Sequence, residues 1–202
     1  MIKLKPTKHA KGTIEIPSDK SISHRAAILN AIAYGTSHIS NYSNGDDCKS
    51  TLEVMSALGV NIKTEKRTNS LDVTILGKGI EGMFKPNEIL DAGNSGTTTR
   101  LLSGILASTN FASTLSGDES LNSRPMKRII APLEKMGAII ESNNYTAPLK
   151  FSPSSLKGIT YYMNVASAQV KSCILIAGLF SNSSTRIHQL AISRDHTERM
   201  LK

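Results

Sequence analysis

The chain has 202 residues, enough for one or two domains with a substantial core, and its 24 Lys and Arg against 16 Asp and Glu give a formal net charge of +8. This charge favours anionic partners, but the dispersed basic residues, the absence of Trp and an aromatic content of 4% argue against nucleic acid. No apolar run reaches about 18 residues, so no membrane span is expected. The N-terminus has no signal-peptide core, and the two cysteines do not have metal-ligand spacing. Together these features indicate a cytoplasmic protein.

Residues 13–76 are predicted to form a first unit in which helices alternate with strands. Gly35 and Gly59 stand where the two helices are expected to end, and Asp46 or Asp47 is expected to cap the second helix. The predicted elements are a strand at Thr13–Ile16, a helix at Ile22–Tyr34, a strand at Ser37–Tyr42, a helix at Cys48–Leu58, and strands at Val60–Thr64 and Leu71–Leu76.

Residues 77–152 and 153–202 repeat this order. Pro125 is expected at the first position of a helix, where its missing N–H is tolerated, and Cys173 is expected to be a buried small hydrophobe. The predicted elements are a helix at Gly96–Ser108, a strand at Ala112–Ser116, a helix at Pro125–Met136, strands at Ala138–Ser142 and Pro148–Ser152, a strand at Thr160–Val165, a helix at Ala168–Phe180, a strand at Thr185–Leu190 and a helix that opens at Asp195. The closing strand pair of the third unit is missing, so this unit is expected to be truncated.

The first helix of each unit begins with small polar residues and a basic side chain. Alignment of the three openings puts into one column Ser21, Gly96 and Ser167, at intervals of roughly seventy residues. The basic residues of a second column are Arg25, Arg100 and Lys171. Free N–H groups at a helix start, the helix dipole and an adjacent cation together favour an anion. The repeat therefore predicts a highly anionic ligand, or more than one ligand.

Five polar segments are candidates for binding, at residues 17–25, 91–100, 116–126, 166–171 and 193–199. Each alone also fits an ordinary capped helix start or a solvated loop, and only their recurrence in a repeat favours a site. The second segment is Gly-rich but lacks the GK[ST] and GxGxxG patterns, which argues against a nucleotide site. Arg124 precedes a helix, where a cation needs a local acid such as Glu119 or a bound anion. His24 is expected to be structural.

The segments PSDKSISHR, GNSGTTTR, SGDESLNSRPM, VASAQVKS and SRDHTERM, in this order, resemble those of the 5-enolpyruvylshikimate-3-phosphate (EPSP) synthases. The resemblance extends over nearly the whole chain. It implies an α/β (α+β) fold of repeated βαβαββ units around a pseudo-threefold axis, as in enolpyruvyl transferases, with the third unit incomplete. It also implies that residues 1–12 add a strand segment to a second, mostly absent domain, and that residues 13–202 form the shikimate-3-phosphate-binding domain.

The resemblance further implies transfer of the carboxyvinyl group of phosphoenolpyruvate to the 5-hydroxyl of shikimate-3-phosphate, with release of phosphate, in the shikimate pathway of aromatic amino-acid biosynthesis. It implies no metal, organic cofactor, nucleic acid or membrane. The implied partners are the two substrates and the C-terminal half of the enzyme, which is expected to be a cytoplasmic monomer when complete. In this family glyphosate occupies the phosphoenolpyruvate site.

Matching the motifs position by position implies roles for individual residues. Lys20 is implied to contact both substrates and is the candidate for proton transfer. Some members carry a second serine where this chain has Ala168. Ala168 has no hydroxyl, so it is implied to contribute only its backbone. The residues implied to hold shikimate-3-phosphate are Lys20, Ser21, Arg25, Ser167, Ala168, Gln169, Ser193 and Arg194. The residues implied to line the phosphoenolpyruvate site are Lys20, Asn94, Gly96, Arg124 and Gln169.

The acid–base carboxylates of the family and its further phosphoenolpyruvate-binding cations belong to a later half that this sequence does not include. We therefore expect the 202 residues alone to bind shikimate-3-phosphate weakly and to be inactive. The alternative is a non-catalytic binding half of a split or truncated enzyme. A general nucleic-acid-binding protein that uses the positive charge is the least favoured interpretation.

Overall fold

A computed structural model describes His9 and residues 11–14 and 16–202. The strand segment predicted at residues 1–12 lies largely outside the described residues. Of the strand predicted at Thr13–Ile16, the three described residues belong to no helix or strand. Across the described ranges, no helix is both long and apolar enough to cross a membrane.

The first unit contains two helices and an antiparallel sheet. Its elements are helix α1 (Lys20–Ile32), strand β1 (Tyr34–Ser43), helix α2 (Asp46–Ala57), strand β2 (Asn61–Lys66) and strand β3 (Ser70–Lys78). β3 lies between β1 and β2 and is antiparallel to both. Leu71, Val73 and Ile75 alternate along β3 and are buried, because successive side chains of a strand point to opposite faces and one face of this sheet covers the core.

The second unit contains a mixed four-stranded sheet and three helices. After a 3-10 turn at Ile80–Gly82, its elements are strand β4 (Leu90–Asp91), helix α3 (Gly96–Leu106), strand β5 (Ser113–Ser116), helix α4 (Glu119–Asn122), helix α5 (Lys127–Lys135), strand β6 (Ile139–Asn143) and strand β7 (Thr146–Ser152). β5 is parallel to β4 on one side and antiparallel to β7 on the other, and β6 pairs with β7 at the edge.

The third unit repeats only the first part of the second. It consists of strand β8 (Thr160–Met163), helix α6 (Ala168–Gly178), strand β9 (Arg186–Gln189) and helix α7 (His196–Met200). β8 and β9 are parallel, as β4 and β5 are. In the first two units an antiparallel strand covers the next edge, but in the described part of the chain that edge of β9 is unpaired. The prediction of an α/β fold with an incomplete third unit is confirmed.

Helices α3 and α6 lie against each other in the core at a distance that only glycine permits. A Cβ atom on Gly104 would lie 2.5 Å from the carbonyl oxygen of Cys173 and 3.3 Å from the backbone nitrogen of Ala177. Cys173 is fully buried, as predicted, and burial raises the pKa of its thiol. The contact fixes the two helix starts relative to each other, and both starts carry candidate site groups.

Two local predictions are wrong. α2 begins after Gly45, and Asp46 and Asp47 lie in its first turn without a capping hydrogen bond. The short helix α4 was not predicted and ends before Pro125. The helix predicted at Pro125–Met136 corresponds to α5, which begins at Lys127. Pro125 therefore lies before α5 and not at its first position. Strand β4 was not predicted, since two residues carry too little pattern.

Candidate functional site

Capping hydrogen bonds show how the three helix starts correspond. Oδ1 of Asp19 accepts the N–H of Ile22 at 2.7 Å. Oγ of Ser95 accepts the N–H of the third following residue at 3.1 Å, and Oγ of Ser167 does the same at 3.3 Å. Asp19, Ser95 and Ser167 are therefore the equivalent residues. The predicted column of Ser21, Gly96 and Ser167 is wrong, because it mixes a cap with first-turn residues.

The side chains of the three basic residues in the second column consequently point in different directions from their helix axes. Counted from the caps, Arg25 is the sixth residue, Arg100 the fifth and Lys171 the fourth. An α-helix turns by about 100° per residue, so a shift of one position points a side chain elsewhere. Sequence alignment alone could not detect this shift, since it does not register where each helix begins.

Arg25 is nearly buried, with 3% exposure, and its guanidinium binds only neutral groups within the described residues. Its Nε donates to Oγ1 of Thr197 at 2.7 Å, and its Nη2 donates to Oγ of Ser172 at 2.8 Å. Its Nη1 donates to the carbonyl oxygen of Ser21 at 2.9 Å. Arg25 thus ties α1 to α6 and α7 without losing its charge to a carboxylate.

Arg194 lies beside the start of α1. Its Nη1 donates to Oγ of Ser21 at 2.9 Å, across 173 positions of sequence. Burial, followed by the nearby charge of Arg194, lowers the pKa of Arg25. Ser193 donates to Oε1 of Gln189 at 3.1 Å, which anchors the segment before α7. Two cations and a hydroxyl predicted for shikimate-3-phosphate therefore lie together.

Lys171 differs from these arginines because it has an acidic partner. Its Nζ forms an ion pair with Glu198 of α7 and donates to Oε1 of Gln189 at 3.3 Å. Its exposure is 4%. The ion pair with Glu198 balances the charge of Lys171 within the chain and so does not support the prediction that this third basic residue serves an anion.

Gln169 connects α6 to α3. Its Nε2 donates to Oγ1 of Thr97 at 2.9 Å, and its Oε1 accepts from Nη1 of Arg100 at 3.2 Å. Ala168 is the first residue of α6, and Ser167 caps it. The sequence did not assign Thr97 or Arg100 a role in orienting Gln169, because these residues lie about seventy positions away along the chain.

Gly96 faces two guanidinium groups at the start of α3. A Cβ atom on Gly96 would lie 2.6 Å from Nη1 of Arg100 and 3.3 Å from Nη1 of Arg124. Burial, then the charges of Arg124 and Arg128, lower the pKa of Arg100. Arg128 was not among the predicted site residues. The electrostatic environment at the start of α3 is therefore strongly positive, and the backbone of Gly96 lies close to the cationic groups.

Arg124 is held by Asn94. Its Nη2 donates to Oδ1 of Asn94, whose Nδ2 donates to Oδ2 of Asp118 at 2.6 Å. The hydrogen bond from Asn94 lowers the pKa of Asp118. Arg124 forms no ion pair with Glu119 or another acid of the described residues, so Glu119 is not the compensating acid suggested by the sequence.

Lys20 stands at the edge of this group of residues. Its Nζ forms an ion pair with Asp47 in the first turn of α2, and its side chain remains 55% exposed.

A cavity of about 220 Å³ next to α6 is lined in part by Arg128, Asn164 and Ser167. No group of three or more His, Cys, Asp or Glu residues that could hold a metal ion occurs in the described ranges.

Comparisons with known proteins agree with one another. Residues 4–202 match the family model of EPSP synthase (3-phosphoshikimate 1-carboxyvinyltransferase). A 3-phosphoshikimate 1-carboxyvinyltransferase of Ruthia magnifica subsp. Calyptogena magnifica is 52% identical over 98% of this chain and 45% of its own length. One of Bacillus cytotoxicus is 50% identical over 100% of this chain and 47% of its own. The EPSP synthase structure from Acinetobacter baumannii has a TM-score of 0.88 and 45% identity, and the match covers 94% of this chain and 43% of that one.

Proposed function

This chain belongs to the EPSP synthase family, and we propose that it supplies the shikimate-3-phosphate-binding portion of a carboxyvinyltransferase. The reaction transfers the carboxyvinyl group of phosphoenolpyruvate to the 5-hydroxyl of shikimate-3-phosphate and releases phosphate. The chain spans under half the length of the curated relatives it matches. We therefore propose the activity for residues 13–202 acting together with a later half like that of the relatives.

The observation that supports this function is a group of arginines with unbalanced charge. Arg25, Arg100, Arg124 and Arg194 surround the starts of α1 and α3, and none forms an ion pair within the described residues. Their bonded partners are hydroxyl, amide and backbone groups. A positive site of this kind favours ligands with several negative charges.

The two proposed substrates each carry a carboxylate and a phosphate. Two unit negative charges about 5 Å apart repel by roughly 3 kcal/mol at an effective dielectric constant near 20. Fixed guanidinium groups offset this repulsion, and they bind both anion types in a bidentate manner. Cations at positions where charge develops also lower the reaction barrier.

The proposed shikimate-3-phosphate side is formed by α1, α6 and the segment before α7. The contact between Arg194 and Ser21 supports this grouping, and Arg25 retains donors beyond those bound to Ser172 and Thr197. The proposed ligands of shikimate-3-phosphate are Lys20, Ser21, Arg25, Ser167, Ala168, Gln169, Ser193 and Arg194.

The proposed phosphoenolpyruvate side is formed by the start of α3 and by the segment before α5. It consists of Asn94, Gly96 and Arg124, joined by Gln169 and Lys20. The bond from Arg100 to Gln169 supports a border between the two sides at this amide. Lys20 is the proposed catalytic group for proton transfer, and its pairing with Asp47 fixes its ammonium group near α2.

A second candidate function is a non-catalytic binding half that requires a separate polypeptide. The edge of β9 is unpaired in the described part of the chain, and an antiparallel strand pair supplied by a later half would complete the pattern of the first two units. The buried thiols Cys48 and Cys173 support a reducing, cytoplasmic location, which we also propose.

The proposal is tested by titration of the purified 202-residue chain with shikimate-3-phosphate in a calorimeter. We expect weak binding that Arg194→Ala reduces about tenfold, since a charge-assisted bond is lost. Arg67→Ala is the control, because Arg67 forms an exposed ion pair with Asp72. Equal loss in both variants contradicts the assignment.

The need for a later half is tested by phosphate release from both substrates. The 202-residue chain alone should release none, and addition of the later half of a relative as a separate polypeptide should restore release. Release by the chain alone contradicts the need for a later half. Restored release supports the assignment of this chain to the shikimate-3-phosphate-binding portion of the enzyme.

A further inference from the structure

Four buried side chains form a continuous row of hydrogen bonds across α1, α2 and the start of α3. Nδ1 of His24 lies 2.6 Å from Oγ1 of Thr51, which lies 2.7 Å from Oγ1 of Thr98. Oγ1 of Thr98 lies 2.7 Å from Oγ of Ser95, the cap of α3. All four residues have 0% exposure. We call this set, His24, Thr51, Thr98 and Ser95, the hydroxyl row.

The hydroxyl row begins and ends beside residues of the candidate site. His24 directly precedes Arg25 and lies one turn after Lys20 and Ser21. Ser95 lies between Asn94 and Gly96. The row therefore connects the start of α1 to the start of α3 by way of Thr51 of α2, through three side-chain hydrogen bonds. Oγ1 of Thr98 also lies 3.2 Å from the carbonyl oxygen of Asp47 in α2.

His24 forms the α1 end of the row through its Nδ1 atom. Burial, and then the charge of Lys20, lower the pKa of His24 to about 4, so the ring is neutral near pH 7. Its Nε2 is buried and has no hydrogen-bond partner among the described residues.

We infer that the hydroxyl row is a positioning device that holds the Asn94–Gly96 turn at a fixed place relative to the start of α1. The threonines suit this task, because a β-branched side chain has few rotamers and the row is buried. The inference rests on the proposed function only in that the two ends are the phosphoenolpyruvate and shikimate-3-phosphate sides. Neither Thr51 nor Thr98 is proposed to touch a substrate.

The test removes one hydroxyl from the middle of the row in the 202-residue chain. Thr51→Val keeps the shape of the side chain, and Thr51→Ser keeps the hydroxyl. Thr109→Val is the matched control, since Thr109 is also buried but bonds only to the carbonyl groups of Leu106 and Phe111. The measurements are amide NMR spectra, amide hydrogen exchange and melting temperature.

In Thr51→Val we expect shifted amide signals of Asn94 and Gly96 and about tenfold faster exchange at the amide of Thr98, since a buried partner loses its bond. Thr51→Ser should restore both, and Thr109→Val should alter neither. If Thr51→Val melts lower but leaves these amides unchanged, the row is merely structural and the inference is wrong. If Thr51→Val does not fold, Thr98→Val removes the next hydroxyl and gives the same comparison.

A second measurement adds shikimate-3-phosphate. In the unmodified chain we expect signals to move both at Lys20–Ser21 and at Asn94–Gly96. In Thr51→Val the response at Lys20–Ser21 should remain, while that at Asn94–Gly96 should fall by at least about half. An unmodified chain that does not respond at all contradicts the proposed function, whereas the ligand-free comparison still decides the role of the row.

Discussion

Arg25 of α1 and Lys171 of α6 align in the sequence, are both almost buried, and nevertheless have different electrostatic surroundings. Arg25 binds hydroxyl groups of Ser172 and Thr197, so its charge remains available to an anion. Lys171 forms an ion pair with Glu198, so its charge is balanced within the chain. The comparison teaches that basic residues that align in a repeat can differ in whether an acid of the same chain pairs with them directly.

The largest predicted effect concerns acid stability on the α1 side. Burial lowers the pKa of His24 to about 4, from an ordinary value of 6.5. As the pH falls below 6.5 the unfolded chain binds this proton first, so stability is full above about pH 7 and decreases towards pH 4 by on the order of 2–3 kcal/mol. Urea unfolding at several pH values measures this decrease.

His24→Gln should remove most of this pH dependence. His188→Gln should not, because His188 is exposed and its neighbourhood belongs to the third unit. If His24→Gln leaves the dependence of the unfolding free energy on pH unchanged, the acid sensitivity arises elsewhere. The α1 side would then not be more sensitive to acid than the α6 side.

Breaking the ion pair of α6 should come next in size. Lys171→Met leaves Glu198 partly buried without its partner, and we expect the free energy of unfolding to fall by about 2 kcal/mol. Lys150→Met is the control, because Lys150 and Glu141 are exposed and 4.0 Å apart, a pair worth under about 0.5 kcal/mol. Similar losses in the two variants would remove the contrast between buried and exposed pairs.

Arg25→Met should affect stability less and binding more. The hydroxyls of Ser172 and Thr197 are neutral and already form a hydrogen bond with each other at 2.6 Å, so each keeps a partner after the guanidinium is removed. We expect a loss of about 1 kcal/mol in unfolding free energy and a roughly tenfold higher Kd for shikimate-3-phosphate. Denaturation and calorimetry measure the two effects. If Arg25→Met lost more unfolding free energy than Lys171→Met, the expected order of the two residues in stability would be reversed.

The smallest effect is expected at the start of α3. In Gly96→Ala the new methyl group would meet Arg100 and Arg124, which can move because they are ends of long side chains. We expect little change in stability and about threefold weaker binding of phosphoenolpyruvate and glyphosate to the chain complemented by the later half. Gly45→Ala, where a Cβ has room, is the control. Unchanged binding would mean that the Gly96 backbone does not face this ligand.

The sequence predicted the order of the long helices and strands because each carries a clear apolar period and a glycine or cap at its end. It did not predict which cations remain unbalanced, since Arg25 meets Ser172 and Thr197 only after 147 and 172 positions of chain. The offset of the helix caps is also invisible in an alignment of side-chain types. The hydroxyl row escaped detection because single threonines have no pattern.

The closeness of α3 and α6 at Gly104 has a mechanical consequence. Backbone touches backbone there, with no flexible side chain between the helices to absorb strain. The two helices should therefore move as one rigid unit. Arg100 and Gln169, which lie on these helices, cannot then move apart to accommodate ligands of different size. Any adaptation to a larger ligand would have to come from the connecting segments, such as the one that carries Ser193 and Arg194.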